Sequence, residues 1–348
     1  MNRKSKKSKK TSWFQRHILA IIIATASLLA LIIYFATFCF QSHDGESKWV
    51  YVPVNATTES LHDSLKSSLG NSEANRIYAL WRLMGGEIAI AHGAYKIDSG
   101  ENAISIARRL SRGMQTPVKI SFSNARTLNQ LAEKVTARVE CSDTEFLEAC
   151  NTVLSDSGFK SAEFTAAFLP DTYEAYWTST GIDIAKKLLR HRNNFWNEQR
   201  RNKAKALGLT PVEVASLAAI VEEESAKSDE RPKIARLYLN RLEKGMPLQA
   251  DPTVKFAVGD FGLRRITGKH LSVESPYNTY IHAGLTPGPI RIATAKTIDQ
   301  VLDAPRHPYI YMCAKEDFSG YHNFAVNYAE HMSNARKYQA ELNRRNIH

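Results

Sequence analysis

Cysteine is scarce in this chain: four residues in 348, too few for a disulfide framework. Cys39 lies inside a long apolar run and Cys313 stands alone in YIYMCAKED. Cys141 and Cys150, nine apart in ECSDTEFLEAC, could pair in an oxidising exterior. The stretch between them is helical in pattern, and one helix spanning both would hold them roughly a dozen ångströms apart, which favours free thiols. No pair has the spacing of a zinc site. The eleven histidines are scattered, with no HExxH, so neither a metal nor another cofactor is expected.

Acids are absent from the first forty residues. That segment opens with MNRKSKKSKK and holds seven Lys and Arg before residue 18. Of the formal net charge of +11 these seven account for the larger part, leaving +4 for residues 41–348. The basic pI therefore argues for a tail that touches anionic lipid, and no nucleic-acid partner is expected.

From 18 to 40 there are 23 consecutive residues without a charge, enough helix to cover a hydrocarbon core of roughly 30 Å. The run ends in the bulky FATFCF, unlike a cleaved signal peptide. Phe38 before Cys39 is a poor lipidation context. The basic side should stay in the cytoplasm. The expectation is a single-pass anchor in the plasma (inner) membrane, with residues 1–17 cytoplasmic and the rest extracytoplasmic.

Beyond the anchor, QSHDGES at 41–47 reads as a short polar linker. Residues 48–115 read as a small α+β module: the strand WVYVPV, a helix over TTESLHDSLKSSLG capped by Thr57 or Thr58, the helix of ANRIYALWRLMGG, then a strand, a turn at Ser99-Gly100 and a helix ending at Gly113. A second, mixed α+β domain occupies 116–348. It opens with a strand and helix in PVKISFSNARTLNQLAEKV, and helical patterns follow at 143–154, 161–167, 181–203 and 211–226. After about 246, turns and short strands are expected to dominate, with a polar helix or tail from Tyr328.

The segment LTPVEVASLAAIVEEESA carries clear start signals, with Thr210 as N-cap, Pro211 first and Glu213 third. Its apolar residues Val214, Leu217, Ile220 and Val221 step by three and four, and the same stripe continues onto Glu224. Glu222 falls over Ala218 and Ala215, and Glu223 over Ala219 and Ser216, nearer the outside. A carboxyl on a core-facing line must be paired or protonated. Either Glu224 meets a nearby cation such as Arg231 or Arg236, or desolvation raises its pKa into the range of a general acid.

Other candidates are weaker singly. FLPDTYEAYW gathers Asp171 and Tyr173 with further aromatics, a mixture suited to sugar rings. In LQADPT, Gln249, Asp251 and Thr253 are spaced by two and would point one way on a strand. The loops SPYNTY and GLTPGPI could present Asn278, Tyr280 and Gly288 to a cleft.

Taken together, FLPDTYEAYW, SLAAIVEEESAKSDERPKIARLYLNRLEKGMPLQADPTVKFAVG, SPYNTYIHAGLTPGPI and YHNFAVNYAEH resemble, in order and spacing, the YceG-like endolytic murein transglycosylases. The resemblance covers roughly 116–345. It implies that 48–115 is a LysM-like module and that the helix carries the catalytic glutamate. That residue is the second acid of an E-x-E pair, here Glu224, with Glu222 as a supporting acid. Glu223 stands where a lysine is frequent, and Ser225 where threonine is common.

The implied activity is cleavage of the β-1,4 bond between N-acetylmuramic acid and N-acetylglucosamine within nascent peptidoglycan strands. No water enters, and 1,6-anhydro ends form as polymerisation is terminated. Membrane-bound peptidoglycan synthases are the implied partners. A non-catalytic peptidoglycan-binding scaffold and a hydrolytic muramidase are the competing expectations.

Overall fold

In the computed structural model, which describes residues 6–263 and 266–345, the chain divides into two compact units: 1–118 with Tyr176–Thr178, and Lys119–Ala175 with Ser179–His348. The fold is mixed α+β, with three small two-stranded sheets among the described residues. Residues 1–5 of the basic tail lie outside the described residues.

The first unit begins with helix α1 (Lys6–Phe40). Its portion His17–Phe40 is long and apolar enough to cross a membrane, and its large side chains, including Ile21, Leu28 and Ile32, are exposed. Cys39, at the far end, is buried against the following module. There β1 (Lys48–Val52) pairs antiparallel with β2 (Gly93–Ile97), so that Val50 faces Tyr95.

Helices α2 (Thr58–Leu69), α3 (Asn71–Leu83), the short α4 (Ile88–Ala91) and α5 (Ala103–Ser111) complete the module. Thr57 caps α2, and Leu61 and Leu65 join Ile77, Trp81, Tyr95 and Ile106 in one core, the i, i+4 pattern burying one helix face. Residues 41–47 make their own contacts. Ser42 bridges Asn102, and buried His43 sits 3.0 Å from Glu73 through Nδ1 and 2.9 Å from the Glu46 carbonyl through Nε2.

In the second unit, β3 (Val118–Phe122) pairs with β4 (Asp171–Ala175). Around them lie α6 (Leu128–Thr136), α7 (Asp143–Asp156), a 3-10 turn at Ser161–Ala167 and α8 (Gly181–Phe195), sharing a core that includes Phe122, Phe146, Leu154 and Leu188. Cys141 and Cys150 are free and buried, and burial pushes their thiols up to about 11 and about 12.

A second core is built on α9 (Glu198–Ala206), α10 (Pro211–Glu224) and α11 (Arg231–Glu243). It continues through α12 (Asp251–Val258) and α14 (Ala295–Leu302), between which the short α13 (Gly268–Leu271) buries no residue. The hairpin of β5 (Tyr311–Ala314) and β6 (His322–Ala325) and the polar α15 (Tyr328–Arg344) follow.

The stretch after 246 is thus more helical than expected. Gln249, Asp251 and Thr253 do not share a strand. Pro252 stands in the first turn of α12, where its fixed φ and missing N–H suit a helix start, and a two-residue spacing there puts side chains on different faces. The long helical pattern from 181 breaks at Trp196, because Asn197 caps a new helix.

Candidate active site

Helix α10 begins as its caps dictate: Thr210 accepts from the Glu213 amide, and Glu213 reaches back to the Thr210 amide at 2.7 Å. Every residue from 214 to 222 is buried, so the helix is enclosed on all sides rather than along one stripe. Burial of the three acids therefore does not follow the apolar stripe. Glu222 is the most enclosed of the three acids, Glu223 is half-buried rather than outward, and Glu224 keeps part of its surface open to solvent.

The three acids differ chiefly in what they touch. Glu222 accepts from the Thr294 amide at 3.0 Å and its hydroxyl at 2.9 Å, with Arg291 at 3.4 Å. Glu223 is held between Arg126 at 2.9 Å and Arg291 at 2.7 Å. Both are conventional compensated carboxylates.

Glu224 has no cation within ion-pair distance among the described residues; it accepts one hydrogen bond, 2.8 Å from the Tyr238 hydroxyl. Its carboxyl group lies deep enough that desolvation is the largest influence on it, raising its pKa from 4.5 to about 7. The Tyr238 hydrogen bond and Lys255 oppose that rise, and the charge of Asp251 adds to it. Arg231 and Arg236 are engaged elsewhere: Arg231 with the Ser225 carbonyl and Thr297, Arg236 with Asn240 and Glu243.

Of the residues expected beside the cleft, Asp251 and Tyr280 lie close enough to Glu224 for charge to act between them. Asp251 is exposed and accepts from the Tyr280 hydroxyl at 2.6 Å. Gln249 is exposed, has a left-handed backbone (φ 53°) and accepts from Arg241 at 2.6 Å. Thr253, by contrast, is buried, bonded to the Ala250 carbonyl and to Thr279.

Asn278 is also buried rather than presented to a cleft. It donates to the Leu271 and Val273 carbonyls, both at 2.9 Å, and accepts from the Tyr280 amide. These two residues shape the loop that carries Tyr280. Gly288 serves packing, since a Cβ there would meet the Ala162 carbonyl oxygen at 1.7 Å.

Asp171 and Tyr173 lie apart from Glu224. Tyr173 belongs to the other core and donates to the Leu169 carbonyl. Asp171 is exposed, 3.2 Å from His191, and lines an open cavity of about 520 Å³ with Lys134 and Thr294. Through Thr294 that cavity adjoins Glu222. The aromatic run that suggested a sugar site is divided, because Trp177 packs on Tyr51 in the first unit.

Sequence reasoning missed Tyr238, Arg241, Lys255, Arg126 and Arg291. Tyr238, Lys255, Arg126 and Arg291 meet the acids from other elements, Arg241 acts on Tyr238, and nothing in local spacing announces them. Tyr238 did stand in an apolar stretch, LYLNRL, where a buried hydroxyl needs a partner. What the site offers chemically is one carboxyl group that is protonated near neutrality, half open, and adjoined by a second, exposed carboxylate. Among the described residues no group of His, Cys, Asp and Glu could hold a metal ion.

Comparison with known proteins gives one family. The YceG-like family matches residues 50–337. A protein of Bacillus subtilis (strain 168) named endolytic murein transglycosylase is 27% identical over 314 residues, spanning 84% of this chain and 85% of that one. A Streptococcus pneumoniae protein of the same name is 32% identical over 114 residues, 32% of this chain and 21% of its own. The crystal structure of a yceG-like protein from Listeria monocytogenes shares the fold, with a TM-score of 0.52 at 22% identity, over 83% of this chain and 99% of that one.

Proposed function

This chain belongs to the YceG-like family, and from that premise we propose that it is an endolytic murein transglycosylase with Glu224 as its catalytic residue. The observation that carries the assignment is the poise of Glu224: desolvated, unpaired with any cation among the described residues, and raised to about 7. A group that must first give and then take a proton works best with a pKa near the operating pH.

The reaction is cleavage of the β-1,4 bond between N-acetylmuramic acid and N-acetylglucosamine inside a strand. Glu224 protonates the leaving glycosidic oxygen. The carboxylate so formed accepts the proton of the muramyl C6 hydroxyl, whose oxygen bonds to the anomeric carbon of the same ring. One bond forms and one breaks, no water is consumed, and the products are a 1,6-anhydro end and a free 4-hydroxyl. Glu222, held by Thr294 and Arg291, fixes the end of the helix behind Glu224.

The module at 48–115 is LysM-like and holds glycan. The helix His17–Phe40 anchors the enzyme in the plasma membrane with its basic end in the cytoplasm, beside the synthases whose nascent strands it terminates. Asp251 supports a second reading. A carboxylate close enough to influence Glu224 is what a hydrolytic muramidase requires.

Product mass decides. The detergent-solubilised full chain, incubated with uncrosslinked strands, is expected to release internal fragments lighter by one water than hydrolysis products. Reducing ends would establish the muramidase, and intact strands the non-catalytic scaffold.

A further inference from the structure

Arg241 is the buried cation of this region that lacks a counter-charge. It is only 7% exposed, and its one side-chain hydrogen bond runs from Nη2 to the neutral Oε1 of Gln249 at 2.6 Å. Its Nε is buried with no partner, and no carboxylate lies within ion-pair distance among the described residues. Arg241 lies over the Tyr311 ring at 5.7 Å, as the similarly buried Arg192 lies over Phe159 and Trp196, but in Arg192 the Nε donates to the Ala166 carbonyl and Nη1 to Asn193. A buried guanidinium with an idle donor is unfavourable unless something else supplies the acceptor.

Gln249 makes the second observation. Its side chain is exposed, yet its backbone sits at φ 53°, one of two non-glycine residues with positive φ among those described. Such strain persists where the surroundings impose it. Here the surroundings are Arg241 on the side chain and the Thr279 carbonyl on the amide, at 3.0 Å. Arg241 thus ends at the surface through a neutral carbonyl that a better acceptor can displace.

Position connects the pair to the reaction. Arg241 follows Tyr238 by one helical turn on α11, so both lie on the same side of it. Gln249 precedes Asp251 by two residues, and Asp251 accepts from Tyr280. The pair therefore flanks the Tyr238–Glu224 contact.

Resting on the proposed function, the geometry points to Arg241 as a binding residue for a carboxylate of the peptide carried on the muramyl lactyl group, with Gln249 holding that place when no strand is bound. A murein strand bears its anionic groups there, whereas its sugar rings and N-acetyl groups are neutral. Only a charged acceptor both fills the idle donor and neutralises the guanidinium. The enzyme so built prefers strands with charged peptides.

The test compares two substrates with the detergent-solubilised full chain: uncrosslinked peptide-bearing strands, and the same strands after carbodiimide-driven amidation of their carboxyl groups. Wild type should cut native strands with a KM about tenfold lower than amidated ones. Arg241→Gln should raise KM for native strands to the amidated level, leave kcat within about twofold, and lose the discrimination. Arg241→Lys should keep part of it, being charged but without the fork.

A wild type indifferent to amidation would overturn the proposal. So would an Arg241→Gln enzyme that loses activity equally on both substrates, the mark of a structural role or a neutral acceptor. If Arg241→Gln fails to fold, Gln249→Ala decides instead: it frees the guanidinium, and an unchanged KM ratio between the substrates overturns the idea. Absence of cleavage by wild type on either substrate would count against the proposed function, not against this site.

Discussion

Two carboxylate clusters meet at the end of α10. On one side Glu222 and Glu223 lie among Arg126, Arg291 and Thr294. On the other Glu224 faces Tyr238, with Asp251 and Tyr280 beyond. The residues are consecutive and chemically identical, and in the sequence only the apolar stripe running onto Glu224 sets one of them apart. In the structure, charge compensation does. Arginines pair with the first two, while the third is left in a desolvated place with a neutral donor and is driven toward its protonated form. Paired and unpaired carboxyl groups are thus separated by one residue step.

The contrast breaks most severely at Glu224 itself. Glu224→Gln keeps shape and the Tyr238 contact but can neither donate nor recover the proton, so turnover should fall about a thousandfold with the thermal transition retained. Strand cleavage followed by mass spectrometry measures it. Across the divide, Arg291→Met leaves Glu222 without a cation and Glu223 with Arg126 alone. It should destabilise the protein by about 3 kcal/mol, read from denaturant unfolding, with activity surviving wherever the chain is folded.

The pH dependence sharpens the comparison further. Below its ordinary value of 4.5 the Glu224 carboxyl is protonated in both folded and unfolded chains and contributes no difference. Between 4.5 and about 7 the unfolded chain has released the proton while the folded one retains it, so stability falls as pH rises, and above that window the whole penalty is present. Glu224→Gln should therefore match wild type near pH 4 and exceed it at pH 8 by up to about 3 kcal/mol. Equal stability at both pH values would mean the carboxyl is not desolvated as described.

The smallest change expected is at Tyr238. Its hydroxyl favours the ionised form of Glu224, so Tyr238→Phe should move the alkaline limb of the kcat/KM profile upward by about one pH unit. A limb that moves downward would mean that the tyrosine supports the acid form.

Much of the scaffold around these groups was legible in the chain itself. The caps at Thr57 and Thr210, the strands at Lys48–Val52 and Gly93–Ile97, and the apolar helix ending at Phe40 follow from local rules. The segment Gln249 to Thr253 was misread because a spacing of two over five residues cannot separate strand from helix start, and Pro252 decided for the helix. Asn278 looked like a site residue because it is polar and lies in a loop, and Thr253 because it shares a spacing of two with Gln249 and Asp251. Burial turned their hydrogen bonds inward instead.

What the sequence determined by itself is that an acid would stand at the end of a buried helix, since capping, periodicity and apolar content act over a few residues. Which of the three acids would be left uncompensated was decided only by tertiary structure. The arginines come from residues 126 and 291, and the tyrosine from 238. Desolvation and charge pairing depend on distance in space, and local pattern carries no record of that distance.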